Sequence, residues 1–344
     1  MIAASDRRRR AGKIPTLTAF AALLPAVLFA CAAALAEAPP APLPAGMVER
    51  AFPFDGGERR FLSFRPARLR PGAPVLLVLH GGGQSARKMF RRQSSPHHAW
   101  VDLAEREGFL LLAPNGTDPR SGDTTGGRQH WYDLRNRWPV TNGPPDDVGF
   151  LSALAAWAVE ERQADPKRIY VTGASNGGMM TFRLLIERPD VFAAGAAFIA
   201  TLPDRKLPEP AAARPILIAP GTDDPVIRWD GGELLKSGIV LRSAPDTLAF
   251  WLDVHGLTGQ QPVARYALPD RAPDDGCRIE VAAWGGSPEA PLVAFWTIRG
   301  GGHWLPSTRP FAVSPRQLQW MGPRCLDVEG PAEAWEFLRG HRLP

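Results

Sequence analysis

Cysteine is scarce in this sequence, with only Cys31, Cys277 and Cys325. So low a count excludes a small scaffold held together by a dense disulfide framework. Cys31 falls in an N-terminal segment with a reading of its own. The other two make an even pair, which permits a single Cys277–Cys325 bridge or two separate buried thiols. A second thing lacking is a basic stripe with interleaved aromatics. The formal charge of +5 is concentrated at the start, where residues 1–36 carry Arg7, Arg8, Arg9, Arg10 and Lys13 against Asp6. That segment alone has a balance of +4, leaving the remainder near +1. Nucleic-acid binding therefore has no electrostatic footprint, and no nucleic-acid partner is expected. There is also no internal repeat, no long low-complexity linker and no Gly-Lys-Ser/Thr after the glycine run at 81–83, so a phosphate loop is excluded. His97-His98 lacks partners at metal-ligand spacing and reads as a helix entrance. No metal and no organic cofactor is expected.

What is present begins with a basic start, an apolar run over about 14–30 and the small-residue stretch Ala34-Leu35-Ala36. This is the layout of a cleaved secretory signal peptide over 1–36, and it predicts export to the periplasm or the medium. A membrane anchor fits less well, because Pro15 and Pro25 interrupt the run and no stop-transfer charges follow. Stable membrane association is therefore not expected. Lipid attachment at Cys31 would follow the bulky Phe29, which also weakens it. A Pro/Ala-rich leader spans 37–46, and residues 47–344 are expected to form one domain.

Along that domain, apolar strand-like runs alternate with helical periodicity. A hairpin is expected over 49–54 and 60–65, and strands over 75–79, 109–113, 168–172, 194–199, 215–219 and 292–298. Helices are expected over 100–107, 147–161, after Ser175, 245–255 and 331–339. Continuous apolar strands separated by helices predict an α/β fold, a mostly parallel central sheet flanked by helices in three layers. Functional residues in such folds sit on loops at the carboxyl ends of strands.

Three of those loops carry chemistry. Gly173-Ala174-Ser175-Asn176-Gly177 joins a strand to a helix and fits a nucleophile elbow, whose sharp turn exposes a serine at a helix N-terminus. Serine needs a base and a group that orients the base. Asp223 or Asp224 follows the strand at 215–219, and His303 follows the strand at 292–298 and three glycines, in the chain order Ser, acid, His. The strand at 75–79 runs into His80-Gly81-Gly82-Gly83, where Gly82 or Gly83 would supply one oxyanion amide and Asn176 the other. His80 reads as structural and Met179-Met180 as helix core. Trp131, Trp138, Trp229 and Trp304 lie in loops near the predicted strand ends; Trp131, Trp229 and Trp304 are candidates for contacting substrate, with simple packing as the alternative.

The strings HGGGQS, DDVGFLSAL, DPKRIYVTGASNGGMM, GTDDPVIRWDGG and GGGHW, in this order, resemble the polyhydroxybutyrate depolymerase-like esterases. These are secreted α/β-hydrolases related to feruloyl and acetyl xylan esterases. The likeness runs from about Ala51 to the C-terminus. It implies Ser175 as nucleophile, Asp224 as acid and His303 as base. It also implies hydrolysis of a carboxylic ester, either a polyester oligomer or an esterified polysaccharide. Where the family often reads Gly-Gly-Gly-His-Thr-Trp-Pro-Gly, this chain reads GGGHWLPS. The rival readings are a peptidase on the same fold and a noncatalytic carbohydrate-binding protein that keeps the fold.

Overall fold

The apolar runs become strands of one ten-stranded sheet. The computed structural model describes residues 42–91, 95–138 and 143–344. The signal peptide expected over 1–36, Cys31 within it and residues 37–41 of the leader lie outside the described residues. A hairpin of β1 (Met47–Phe54) and β2 (Gly57–Phe64) opens the domain, turning at Asp55-Gly56. Then come β3 (Val75–Leu79), α1 (Ala86–Phe90), α2 (His98–Glu107), β4 (Leu110–Pro114), α3 (Asp147–Arg162), β5 (Ile169–Ala174) and α4 (Asn176–Glu187). The chain continues through β6 (Ala194–Phe198), β7 (Ile216–Ala219), a two-residue ribbon of β8 (Gly232–Glu233) and β9 (Val240–Leu241), and α5 (Ala244–Val254). It closes with β10 (Ala264–Ala267), β11 (Arg278–Trp284), β12 (Val293–Arg299), α6 (Pro315–Met321) and α7 (Gly330–Arg339).

The sheet order is β1-β2-β4-β3-β5-β6-β7-β12-β11-β10. The six strands β4, β3, β5, β6, β7 and β12 are parallel, and an antiparallel hairpin caps each edge. Strand β3 shows why both faces must be covered. Its five residues are all apolar and all buried; Val75, Leu77 and Leu79 join the core on one face, and Leu76 and Val78 join the core on the other. The first core packs against α3, α4 and α5 through residues such as Phe150, Phe182 and Trp251. The second packs against α1, α2 and α7 through Met89, Trp100 and Trp335. Each such buried side chain contributes roughly 1.5–3 kcal/mol of transfer free energy. The result is three layers, helix on sheet on helix, as the alternation of runs predicts. Among the described residues no helix is long and apolar enough to cross a membrane.

Several elements lie outside the sequence expectation, among them α1, the β8–β9 ribbon, β10, β11 and α6. Strands β10 and β11 were not foreseen: β10 reads Ala-Arg-Tyr-Ala and is half to fully exposed, and β11 alternates apolar with polar residues. Their pairing with β12 holds them in the sheet. Helix α6, likewise unexpected, starts at a capping box in which Ser314 and Gln317 bond each other's backbone amides, although none of its residues is buried. Met179 and Met180 are helix core, and His97 stands at the entrance to α2 without a side-chain capping bond. Cys277 and Cys325 are joined in a disulfide, with Cα atoms 5.2 Å apart, which ties the start of β11 to the segment before α7.

Candidate active site

The carboxyl ends of β3, β5, β7 and β12 converge on a cavity of about 680 Å³. Ser175 and His303 both line it.

Ser175 sits between β5 and α4 at φ 57°, ψ −124°, a conformation that side chains other than glycine rarely adopt. Two glycines make the corner feasible. A Cβ on Gly173 would lie 2.4 Å from the Gly177 carbonyl carbon, and one on Gly177 would lie 2.4 Å from the Leu79 oxygen. Strand, helix and the end of β3 therefore approach more closely than any side chain allows. The Ser175 amide donates to the Phe198 carbonyl of β6 at 3.0 Å, which pins the turn to the neighbouring strand.

His303 and Asp224 are both buried, and His303 Nδ1 lies 2.7 Å from Asp224 Oδ2. The other oxygen, Asp224 Oδ1, accepts the amides of Val226 and Ile227, each at 2.8 Å. That carboxylate is thus fixed by two backbone donors and presents one oxygen to the imidazole. Asp223 is exposed and accepts only from the Thr222 hydroxyl. Geometry therefore selects Asp224 of the two neighbouring aspartates. The His303 loop is held from below, since the amide of Gly302 donates to Pro323 and that of His303 to Met321.

Of the two glycines considered for the oxyanion amide, Gly83 is corrected: its amide donates to the Gln129 carbonyl at 2.9 Å and faces away from the cavity. Gly82 lines the cavity and is exposed there, and no acceptor among the described residues takes its amide. The Asn176 amide, the first of α4, is likewise untaken among the described residues. His80 lies outside the cavity lining. Its Nε2 accepts the Gly116 amide at 2.9 Å, which places the proton on Nδ1, where it donates to the Gly81 carbonyl. Burial pushes its pKa down to about 3, so the ring stays neutral.

The substrate-contacting tryptophans need correction as well. Trp131 is 2% exposed, and its indole donates to the His80 carbonyl at 3.0 Å. It is buried outside the cavity lining and ties its loop to the end of β3. Trp229 packs on Phe295 with ring centroids 5.9 Å apart, facing the core rather than the cavity. Trp138 stacks edge-on with Tyr132. Trp304 does line the cavity, and its indole donates to Gly322 at 2.9 Å.

The structure adds parts that the sequence did not signal. Segment 129–133 joins the glycine loop to the serine corner. Gln129 donates its amide to the Gln84 carbonyl and accepts that of Gly83, and Trp131 gives its amide to Asn176 Oδ1 and accepts from Asn176 Nδ2. Asn176 Nδ2 also donates to Asp133 at 2.6 Å. His130 lines the cavity beside Gly82, where an added Cβ would meet its Nε2 at 3.2 Å. Trp320, on α6 and 57% exposed, forms part of the cavity wall. Asn176 lines the cavity, and its side chain locks two loops together.

A model of the prolyl oligopeptidase family matches residues 103–201, the stretch from α2 to just past β6 that carries Ser175. A feruloyl esterase B of Thermothelomyces thermophilus is 30% identical over 133 residues, which cover 39% of this chain and 41% of that protein. An acetylxylan esterase of Coprinopsis cinerea is 27% identical over 169 residues, covering 48% of this chain and 42% of that protein. The chain thus spans less than half the length of these relatives. Among solved structures, an acetyl xylan esterase from Aspergillus awamori aligns with a TM-score of 0.50 at 15% identity, over 80% of this chain and 99% of that one. Together with the sheet order and the serine corner, this likeness establishes that the chain has the α/β-hydrolase fold.

Proposed function

We propose that the chain is a serine hydrolase of carboxylic esters. The observation that carries the reading is the buried Asp224–His303 pair sharing a cavity with Ser175 on its strained corner. Asp224 holds the Nδ1–H tautomer of His303, which leaves Nε2 to take the Ser175 proton as Oγ attacks the ester carbonyl. The developing oxyanion is met by the amides of Gly82 and Asn176, at the positive end of α4. His303 then protonates the leaving alcohol, and an acyl-Ser175 remains. Water deprotonated by His303 releases the acid and restores the serine. The side chains supply every proton transfer in this sequence.

The substrate class rests on relatives and resemblance. The feruloyl and acetylxylan esters for which those relatives are named stand beside the polyhydroxybutyrate oligomers suggested by the motif strings. We infer export through the 1–36 signal peptide; the disulfide suits an oxidising compartment. Purified Ser175→Ala is expected to lose hydrolysis of short 4-nitrophenyl esters by at least about 10³-fold and to take no fluorophosphonate label. Wild-type turnover by that variant would refute the reading. A panel of hydroxybutyrate oligomers, methyl ferulate and acetylated xylan then identifies the acyl group. A second reading, amide hydrolysis, is favoured by the match of 103–201 to the prolyl oligopeptidase family, and assays on peptide anilides run in parallel decide between ester and peptide.

A further inference from the structure

Charge around the cavity is one-sided. Lys88, Arg91 and Arg135 line it, and among the described residues no aspartate or glutamate does. Arg135 is already compensated, since its guanidinium meets Asp133 at 2.7 Å. His97 and His130 also face the cavity, but burial lowers both below the ordinary imidazole range, His97 to about 4, so neither adds charge at neutral pH. Lys88 and Arg91 remain, on and directly after α1, with no ion-pair partner among the described residues.

These two are placed rather than scattered. The Ser85 hydroxyl caps α1, Asn115 Oδ1 accepts the Ala86 amide, and Met89 and Phe90 anchor the helix in the core. The Lys88 stem crosses Gly127, where an added Cβ would lie 3.0 Å from Cε and 3.4 Å from Nζ. Gly127 thus leaves the space that the lysine end occupies, and the ammonium is held at the cavity wall.

A concave site with uncompensated cations and no anion concentrates negatively charged ligands. The carbonyl of an ester is neutral, so these charges serve a group elsewhere in the substrate. We propose that the cavity selects esters carrying a carboxylate on their acid or alcohol half, and that Lys88 and Arg91 receive it. This rests on the esterase reading above and narrows its substrate class.

Two matched pairs test it at low salt: 4-nitrophenyl butyrate against 4-nitrophenyl hemisuccinate, and phenyl acetate against 4-carboxyphenyl acetate. Ser175→Ala supplies the uncatalysed background. In at least one pair the charged member is expected to be favoured in kcat/KM by about tenfold, and about 0.5 M NaCl should shrink that ratio. A Lys88→Met/Arg91→Gln double variant, checked by circular dichroism for an unchanged fold, should bring the ratio close to one. Wild-type ratios near one in both pairs overturn the proposal, as does a double variant that keeps the preference. Failure of the underlying reading looks different: no neutral ester is turned over and Ser175 takes no fluorophosphonate.

Discussion

At the residue scale, the distinction between Asp223 and Asp224 shows what geometry adds to sequence. Both follow β7, both precede Pro225, and spacing treats them alike. In the structure only Asp224 is buried against His303, with its second oxygen occupied by two amides. Asp224→Asn keeps the shape and those two acceptances at Oδ1 but turns an N–H toward Nδ1, forcing the unproductive imidazole tautomer. The expected loss is on the order of 10³–10⁴ in kcat with little change in melting temperature. Asp223→Asn, altering an exposed side chain, is the matched control and should stay within about twofold. Equal losses in the two variants would remove Asp224 from the role given to it. The same scale separates alternatives that the sequence leaves open. Gly83 is as glycine-like as Gly82, and only its partner Gln129, 46 positions away in sequence, takes its amide out of the site. Trp131 lies in a loop, and a loop position does not say whether the side chain turns in or out.

Elements were legible where burial is symmetrical or periodic. The apolar runs of β3, β5 and β7 mark those strands, and the serine corner is announced by its glycines. The edge strands β10 and β11 were not legible, because half-exposed residues carry no run and pairing alone defines them. Segment 129–133 carries only two isolated β-bridges, at Gln129 and His130, yet it couples the glycine loop to Asn176. What holds it is Asp147, in the first turn of α3, whose Oδ2 accepts the Tyr132 amide at 2.7 Å and whose Oδ1 meets Arg59 at 2.7 Å. Both side chains are almost wholly buried. Asp147→Ala leaves the Arg59 guanidinium without its counter-charge and frees Tyr132, at an expected cost of about 3–5 kcal/mol. Activity should fall further than the folded fraction accounts for, since the Asn176 clamp loosens with the segment. Asp146→Ala removes only an exposed N-cap to Gly149 and should cost about 1 kcal/mol. Urea titrations of the two variants make the comparison, and similar costs would mean that the buried pair is not what fixes the segment.

For the whole molecule, burial of ionisable rings sets a direction with pH. His80 is lowered to about 3, and His97 and His341 to about 4, each chiefly because burial disfavours the charged ring. In the unfolded chain these rings take up protons near pH 6.5. Between that value and their folded pKa values the unfolded state binds more protons, so stability must fall as the solution is acidified. The stabilisation is complete above about pH 7 and is lost downward through the window. Each ring contributes up to roughly 1.4 kcal/mol per pH unit, so three together act on the order of the whole stability of a domain. Burial raises the carboxyls of Glu329, Glu333 and Asp327, which works in the opposite sense because the folded state then takes the proton first. That offset begins above the ordinary carboxylate range and so overlaps the lower part of the histidine window, where it lessens the loss. Denaturant midpoints should therefore hold steady from about pH 8 to 7 and drop steeply from about pH 6.5 to 5. His341→Gln, whose ring carries no charge pair, should lessen that slope by close to one proton. A flat profile down to about pH 5 would show that these rings take up protons in the folded state as readily as in water.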